Sequence, residues 1–164
     1  MIPKKPVPDL IRDGWRFSEK IMLRCSEAES DPSGVGDARS CFTVSDIAAA
    51  EPFYDAIMKA LCIVKVGRRE DWLGYGERAR AANPERVYIS IRKGSRPDDA
   101  AGRHWCFKAK WRTQVDAFWE AGIAAGGSDE GPPGLRNYHA SYYAAFLRDP
   151  DGNRIEAVCH HAEK

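Results

Sequence analysis

The sequence predicts an α+β fold made of two copies of one strand–helix–strands module, with mixed sheet and helices on the outer side. Three observations carry this. A stretch of the chain recurs later in the chain, a strong turn signal joins two strand-like runs near the C-terminus, and the composition is that of an ordinary globular protein.

The repeat comes first. RSCFTVSDIAAAEPFYDAIMKAL begins at Arg39 and HWCFKAKWRTQVDAFWEAGIAAG begins at His104, an offset of 65 residues. At that offset Phe42 matches Phe107, Phe53 matches Phe118, Ala56 matches Ala121 and Ala60 matches Ala125. Tyr54 meets Trp119 and Asp55 meets Glu120, both conservative changes. Each copy reads as a short strand and then a helix. Ala49, Phe53, Ile57 and Ala60 recur at helical spacing in the first copy, and Val115, Phe118 and Ile123 do so more loosely in the second. Further strand material follows each helix: VYISIRKG (Val87 to Gly94) in the first copy, SYYAAFL and RIEAV in the second. Two copies signal duplicated modules rather than a solenoid. A module of about 60 residues has little core of its own, so the two must pack together or against another chain.

The other segments fall around this frame. Residues 1–38 form an extension: MIPKKPVPD is proline-rich and extended, Asp9 to Glu29 has helical spacing of Ile11, Trp15, Met22 and Cys25, and ESDPSGVGD is a linker by composition. The domain proper spans 39–161, with modules at 39–98 and 103–161. GGSDEGPPG, Gly126 to Gly134, lacks the Lys-Ser/Thr of a phosphate-cradling loop and opens no helix, so it reads as a loop.

The turn is Asp149-Pro150-Asp151-Gly152-Asn153, flanked by SYYAAFL and RIEAVCH. Proline presets φ for the first turn position and glycine takes positive φ without a Cβ clash. The pattern is a β-hairpin. Alternation places Arg154, Glu156 and Val158 on one strand face and Ile155, Ala157 and Cys159 on the other. Glu156 therefore lies on an inner concave face or an outer wet one. Residue type alone favours the wet face, since glutamate is seldom buried without a partner.

The formal net charge of +1 indicates no general nucleic-acid or membrane surface. The five cysteines, Cys25, Cys41, Cys62, Cys106 and Cys159, are scattered and never form a CxxC. With no signal-peptide pattern or membrane-length apolar run, the expectation is a cytoplasmic protein with reduced thiols.

The repeat, the FYDAIMKAL helix, the AAGGSDEGPPGLRNYHASYYAAF segment and the DPDGNRIEAV hairpin resemble the vicinal oxygen chelate superfamily, which groups glyoxalase I, extradiol dioxygenases and bleomycin-resistance proteins. The likeness covers Arg39 to about His161. It implies two tandem βαβββ modules whose curled mixed sheets surround a shared cavity, with the Gly126–Gly134 loop near its mouth. It also implies a small-molecule ligand and a homodimer, with no nucleic-acid or membrane partner. Metal-binding members place ligands on the first and last strands of each module. Carried over by position, this gives His104 and Glu156 as metal ligands, with Glu156 also the candidate catalytic group.

The first module departs from that pattern. Its first-strand position holds Arg39, and its last strand offers Tyr88 and Ser90 without a carboxylate. A catalytic metal usually takes about three protein ligands and an open position. Two readings follow. In one, a divalent zinc, nickel, manganese or iron ion chelates neighbouring substrate oxygens as a Lewis acid, in a lyase, isomerase or dioxygenase. In the other, the cavity is a metal-free receptacle for a small aromatic or anionic compound, contacted by Arg39, Cys41, Trp105, and Tyr142 or Tyr143. Arg39 then pairs with Glu156 or holds an anion, unless the linker runs through it and it is solvated. Cys41 is a packed thiol or a soft ligand. Tyr142 and Tyr143 face opposite sides of a strand, so one packs and one can line the cavity.

Overall fold

Alternation along the first strand already decides which face meets the helices. β1 (Arg39–Val44) buries Phe42 and Val44 and leaves Cys41 and Thr43 exposed. The fold is seen in a computed structural model that describes residues 39–78, 80–82, 86–95 and 104–162. The expectations for residues 1–38 lie outside these residues, as does the side chain of Arg39.

α1 (Ile47–Ala60) starts where Asp46 caps it: the carboxylate accepts from the amides of Ala48 at 2.7 Å and Ala49 at 3.1 Å. Its buried residues are Ile47, Ala50, Phe53, Tyr54, Ile57 and Met58. Ala49, placed on the apolar stripe by spacing, is exposed. The stripe is centred on Phe53 and Ile57 and runs instead through Ala50, Tyr54 and Met58.

β2 (Lys65–Arg69), β3 (Trp72–Gly76) and β4 (Tyr88–Lys93) complete the first sheet in the order β1-β4-β3-β2, with β1 parallel to β4 and the other pairs antiparallel. The second module repeats this plan. β5 (Trp105–Lys108), α2 (Arg112–Ala124), β6 (Ser128–Leu135), β7 (Tyr143–Arg148) and β8 (Arg154–Cys159) build a sheet in the order β5-β8-β7-β6, with β5 parallel to β8. In α2 no side chain of Trp111 can cap, so Gln114 folds back and accepts from the amides of Lys110 at 2.8 Å and Trp111 at 3.2 Å.

One element corrects the reading of the sequence. Gly126 to Gly134 was expected to be a loop, yet Ser128–Leu135 is a strand. It is the outer edge of its sheet, and its register shifts twice, between Asp129 and Gly131 and between Gly131 and Gly134. Edge position and bulges are the conditions under which a strand tolerates prolines, here Pro132 and Pro133.

A single apolar cluster spans both modules, including Phe42, Phe53, Tyr54 and Ile57 from the first and Phe107, Val115, Phe118, Leu147 and Ile155 from the second. Each such side chain contributes about 1.5–3 kcal/mol on full burial. Phe42 sits at the seam, its ring 4.7 Å from that of Trp105 and 6.0 Å from that of Phe107. The two small modules thus share the core that neither could supply.

The Asp149–Asn153 turn does more than close the hairpin. Gly152 takes φ +95, and Arg148 pairs with Arg154 across the turn, which sets the register. Asp149 accepts from the amides of Asp151 at 3.0 Å and Asn153 at 2.7 Å, from the Asn153 side chain at 2.7 Å, and from the hydroxyl of Tyr54 at 2.7 Å. Asn153 donates to the carbonyl of Thr43 at 3.0 Å, and Asp151 accepts from the amide and hydroxyl of Ser45. The turn therefore fastens the second module's hairpin to β1 and α1 of the first.

Candidate functional site

Register places the site. Cys106 on β5 pairs with Glu156 on β8, and Phe146 on β7 lies on the other side of Glu156. These three share the sheet face opposite to Phe107, Ile155 and Leu147, which belong to the core. The same row exists in the first module as Cys41, Ser90 and Gly74. The two modules share this geometry, including a cysteine in each first strand, and differ at the centre, which is a hydroxyl in the first and a carboxylate in the second.

Glu156 is completely buried. The wet-face expectation from residue type does not hold, and the reason is the company it keeps. The hydroxyl of Tyr142 donates to Oε1 at 2.7 Å, and Nε2 of His104 lies 3.1 Å from Oε2. As a carboxylate Glu156 only accepts, so Nε2 is the protonated nitrogen of His104. Cys106 lies opposite the same carboxylate in the strand register. Burial first, and then the negative charge of Glu156, push the thiol well above its ordinary range. The same two causes raise Tyr142. Both groups stay protonated, and the Tyr142 hydroxyl donates to the carboxylate. His104, whose side chain is 19% exposed against 0% for Glu156, is the member of the pair that meets the outside.

Other aromatic groups surround this centre. Phe146 stands edge-on to His104 at 6.5 Å, and Tyr142 is contacted edge-on by Tyr138, His139 and His160. His139 and His160 are hydrogen-bonded at 2.9 Å.

The remaining sequence candidates fall elsewhere. Tyr143 faces the helix side, where its hydroxyl donates to Asp116 of α2 at 2.7 Å. Trp105 packs on Phe42 at the seam between modules. Cys41 is exposed, on the face that carries Ser90. Arg39 opens β1 opposite Tyr88, and its proposed pairing with Glu156 lies outside the described side chains. Sequence reasoning passed over Cys106 and Phe146. The hairpin register, counted outward from the turn, would have placed Phe146 opposite Glu156, and the 65-residue offset would have matched Cys106 to Cys41.

These environments predict thiol reactivity. Cys41 and Cys62 are exposed, whereas Cys106 is half-buried with a raised thiol and Cys159 is buried. Brief iodoacetamide treatment followed by peptide mass spectrometry should label Cys41 and Cys62 and spare the other two. Rapid labelling of Cys106 would contradict its burial beside the Glu156 carboxylate.

The donor set also tests the site against a metal. Among the described residues, no group of three or more His, Cys, Asp or Glu side chains is placed to hold a metal ion. His104 and Glu156 are tied to each other, the third group on the carboxylate is a phenol, and the corresponding row of the first module offers Ser90 bonded to Trp72. The described residues do not fit a catalytic metal centre of about three protein ligands.

Fold and row together define a two-module α+β protein with a polar centre on the last strand of its second module. The comparisons give that class its family. Residues 38–157 match the model of the Glyoxalase/Bleomycin resistance protein/Dioxygenase superfamily. The chain belongs to this superfamily. It is 32% identical to a glyoxalase/bleomycin resistance protein from Albidiferax ferrireducens T118, over 74% of this chain and 95% of that one, with a TM-score of 0.60. A family enzyme from Burkholderia phytofirmans PsJN shares the fold at 17% identity, over 75% and 97% of the two chains, with a TM-score of 0.56. So does the fosfomycin resistance protein FosX from Mesorhizobium loti, at 15% identity over 73% and 86%, with a TM-score of 0.52. No curated protein matches the chain. Among the described residues no helix is long and apolar enough to cross a membrane.

Proposed function

We propose that the chain is a metal-free small-molecule-binding member of its superfamily, with the His104–Glu156 pair as the polar anchor of its binding face. The observation that supports this is the closed set of hydrogen bonds on Glu156. Its two oxygens are engaged by the Tyr142 hydroxyl and by His104, and these two residues supply no third carboxylate, thiol or imidazole for a metal. Such a row holds a ligand by hydrogen bonding at His104 and by packing against Phe146. The expected cytoplasmic location stays with this proposal, and the four described cysteines, all free thiols, support it.

A metal-dependent lyase, isomerase or dioxygenase is the second reading. Its support is the 3.1 Å separation of Nε2 and Oε2, which is also the spacing of two neighbouring ligands on one cation. Thermal unfolding of untagged protein separates the two. Zinc, nickel, manganese and iron(II) salts are expected to leave the midpoint unchanged. A metal bound at about a hundred times its dissociation constant would raise it by roughly 5–10 °C, and that result, lost in His104→Ala, would replace the metal-free reading.

A further inference from the structure

Three arginines stand on the sheet face that carries Glu156, and they are held differently. Arg148 and Arg154 are register partners across the final turn, each two residues along its strand from Phe146 or Glu156. Side chains two apart share a face, so both point to the side of Glu156. Both reach one carboxylate, Glu130 of β6, with Nε of Arg154 at 3.1 Å from it.

Arg136 is the third. It follows β6, and its amide closes the β6–β7 connection by donating to the carbonyl of Tyr142 at 2.8 Å. Its side chain folds back along β6, where Nη2 donates to the carbonyl of Pro132 at 2.6 Å. Glycines leave that path open. A Cβ at Gly134 would lie 3.2 Å from Nη1, and one at Gly131 would lie 3.5 Å from Nη2 and 3.2 Å from the ring of Phe146. The guanidinium therefore rests against the strand and stands 5.5 Å from the centroid of Phe146. Phe146 is the register partner of Glu156 and stands edge-on to His104. The bulged edge strand thus brings a positive charge to the binding face.

Its partners fix this charge without neutralising it. Among the described residues the Arg136 side chain bonds to a carbonyl and lies over a phenyl ring, whereas Arg148 and Arg154 meet a carboxylate. A carbonyl anchors one N–H, and a guanidinium carries five. The ring attracts the cation and holds its position but leaves the charge in place. Arg136 is also half-buried, so water screens it less than it would an open surface arginine. Glu156 is completely buried, with Tyr142 and His104 on its two oxygens, so it presents no exposed negative charge beside Arg136.

We propose that Arg136 sets the charge preference of the Glu156 site, and that the ligand is a small carboxylate whose apolar body packs on Phe146. The inference rests on the reading of the Glu156 row as a ligand-binding face and adds the ligand's charge and the residue that reads it. The planar fork of a guanidinium matches the two oxygens of a carboxylate. Because the Pro132 carbonyl and the glycines hold the fork before a ligand arrives, little ordering is left to binding.

Phenylacetate is the probe and phenylacetamide, its neutral isostere, the comparison, both measured by calorimetric titration of the full chain. Phenylacetate is expected to bind saturably, and phenylacetamide at least about tenfold more weakly. Arg136→Gln is expected to weaken phenylacetate about tenfold and so remove the difference between the two. Arg136→Lys keeps the charge but loses the fork, and should retain part of the preference. Arg68→Gln removes an exposed arginine that bonds to Glu51 of α1, and should leave phenylacetate binding unchanged. An equal loss there would assign the effect to overall charge and overturn the proposal. His104→Gln reads the site itself and is expected to weaken both compounds alike. Equal binding of the two compounds to the parent, weakened by His104→Gln, overturns the charge preference and leaves the ligand-binding reading standing. A preference that Arg136→Gln removes and His104→Gln does not touch supports Arg136 and ends the reading of the Glu156 row. Saturable binding of neither compound at millimolar concentration overturns both.

Discussion

Asp149→Ala is expected to destabilise the protein by about 3–5 kcal/mol, the cost of emptying a buried and fully hydrogen-bonded carboxylate site. Four donors converge on this side chain, which is 3% exposed. One is the hydroxyl of Tyr54, itself completely buried in α1. Alanine leaves that hydroxyl and the Asn153 side chain without their acceptor, and it frees two amides of the turn. The loss is both local and long-range, because the Tyr54 bond ties the hairpin of one module to the helix of the other. Thermal unfolding should show a midpoint lowered by roughly 10–20 °C. Ser45→Ala, which removes one exposed contact to Asp151, should cost no more than about 1 kcal/mol. Similar midpoints for the two variants would refute the idea that Asp149 fastens the modules together.

The second large effect is expected at Glu156. Alanine there removes the acceptor for Tyr142 and His104 together, and about 3 kcal/mol of stability should go with it. Glutamine keeps one acceptor oxygen and should cost distinctly less. The pH dependence gives an independent reading. Cys106 and Tyr142 are raised above their ordinary values of 9.0 and 10.0, burial being the larger cause and Glu156 the next. The folded state holds both protonated, while the unfolded chain releases those protons as pH rises. Their contribution is therefore complete below about pH 9 and declines above it. Glu156→Ala removes one of the two causes, so its alkaline decline should be shallower than that of the parent. Denaturant melts across this range measure both effects. A Glu156→Ala protein as stable as the parent would show instead that the carboxylate is held at a cost, as a receptor for a missing charge.

How far the sequence reaches is seen in particular elements. The Asp149–Asn153 turn was legible because proline and glycine restrict the backbone locally, whatever surrounds them. The duplicated strand–helix unit was legible because a repeat needs no knowledge of packing. By contrast, β6 was read as a loop, since Pro132 and Pro133 are admissible in a strand only at a bulged edge, and no local signal reveals an edge. Glu156 shows the same limit at the site: its residue type argued for solvent, and only its partners argue for burial.

By itself, then, the sequence determined the α+β class, the two modules, the final hairpin and the superfamily, because each depends on contacts close along the chain or on a pattern copied within it. Tertiary structure alone decided that Glu156 is buried under Tyr142 and His104, that Tyr143 turns to the helix, and that Arg136 lies over Phe146. Those outcomes depend on which strands become neighbours and in what register, and distant segments set that register only when they share a core.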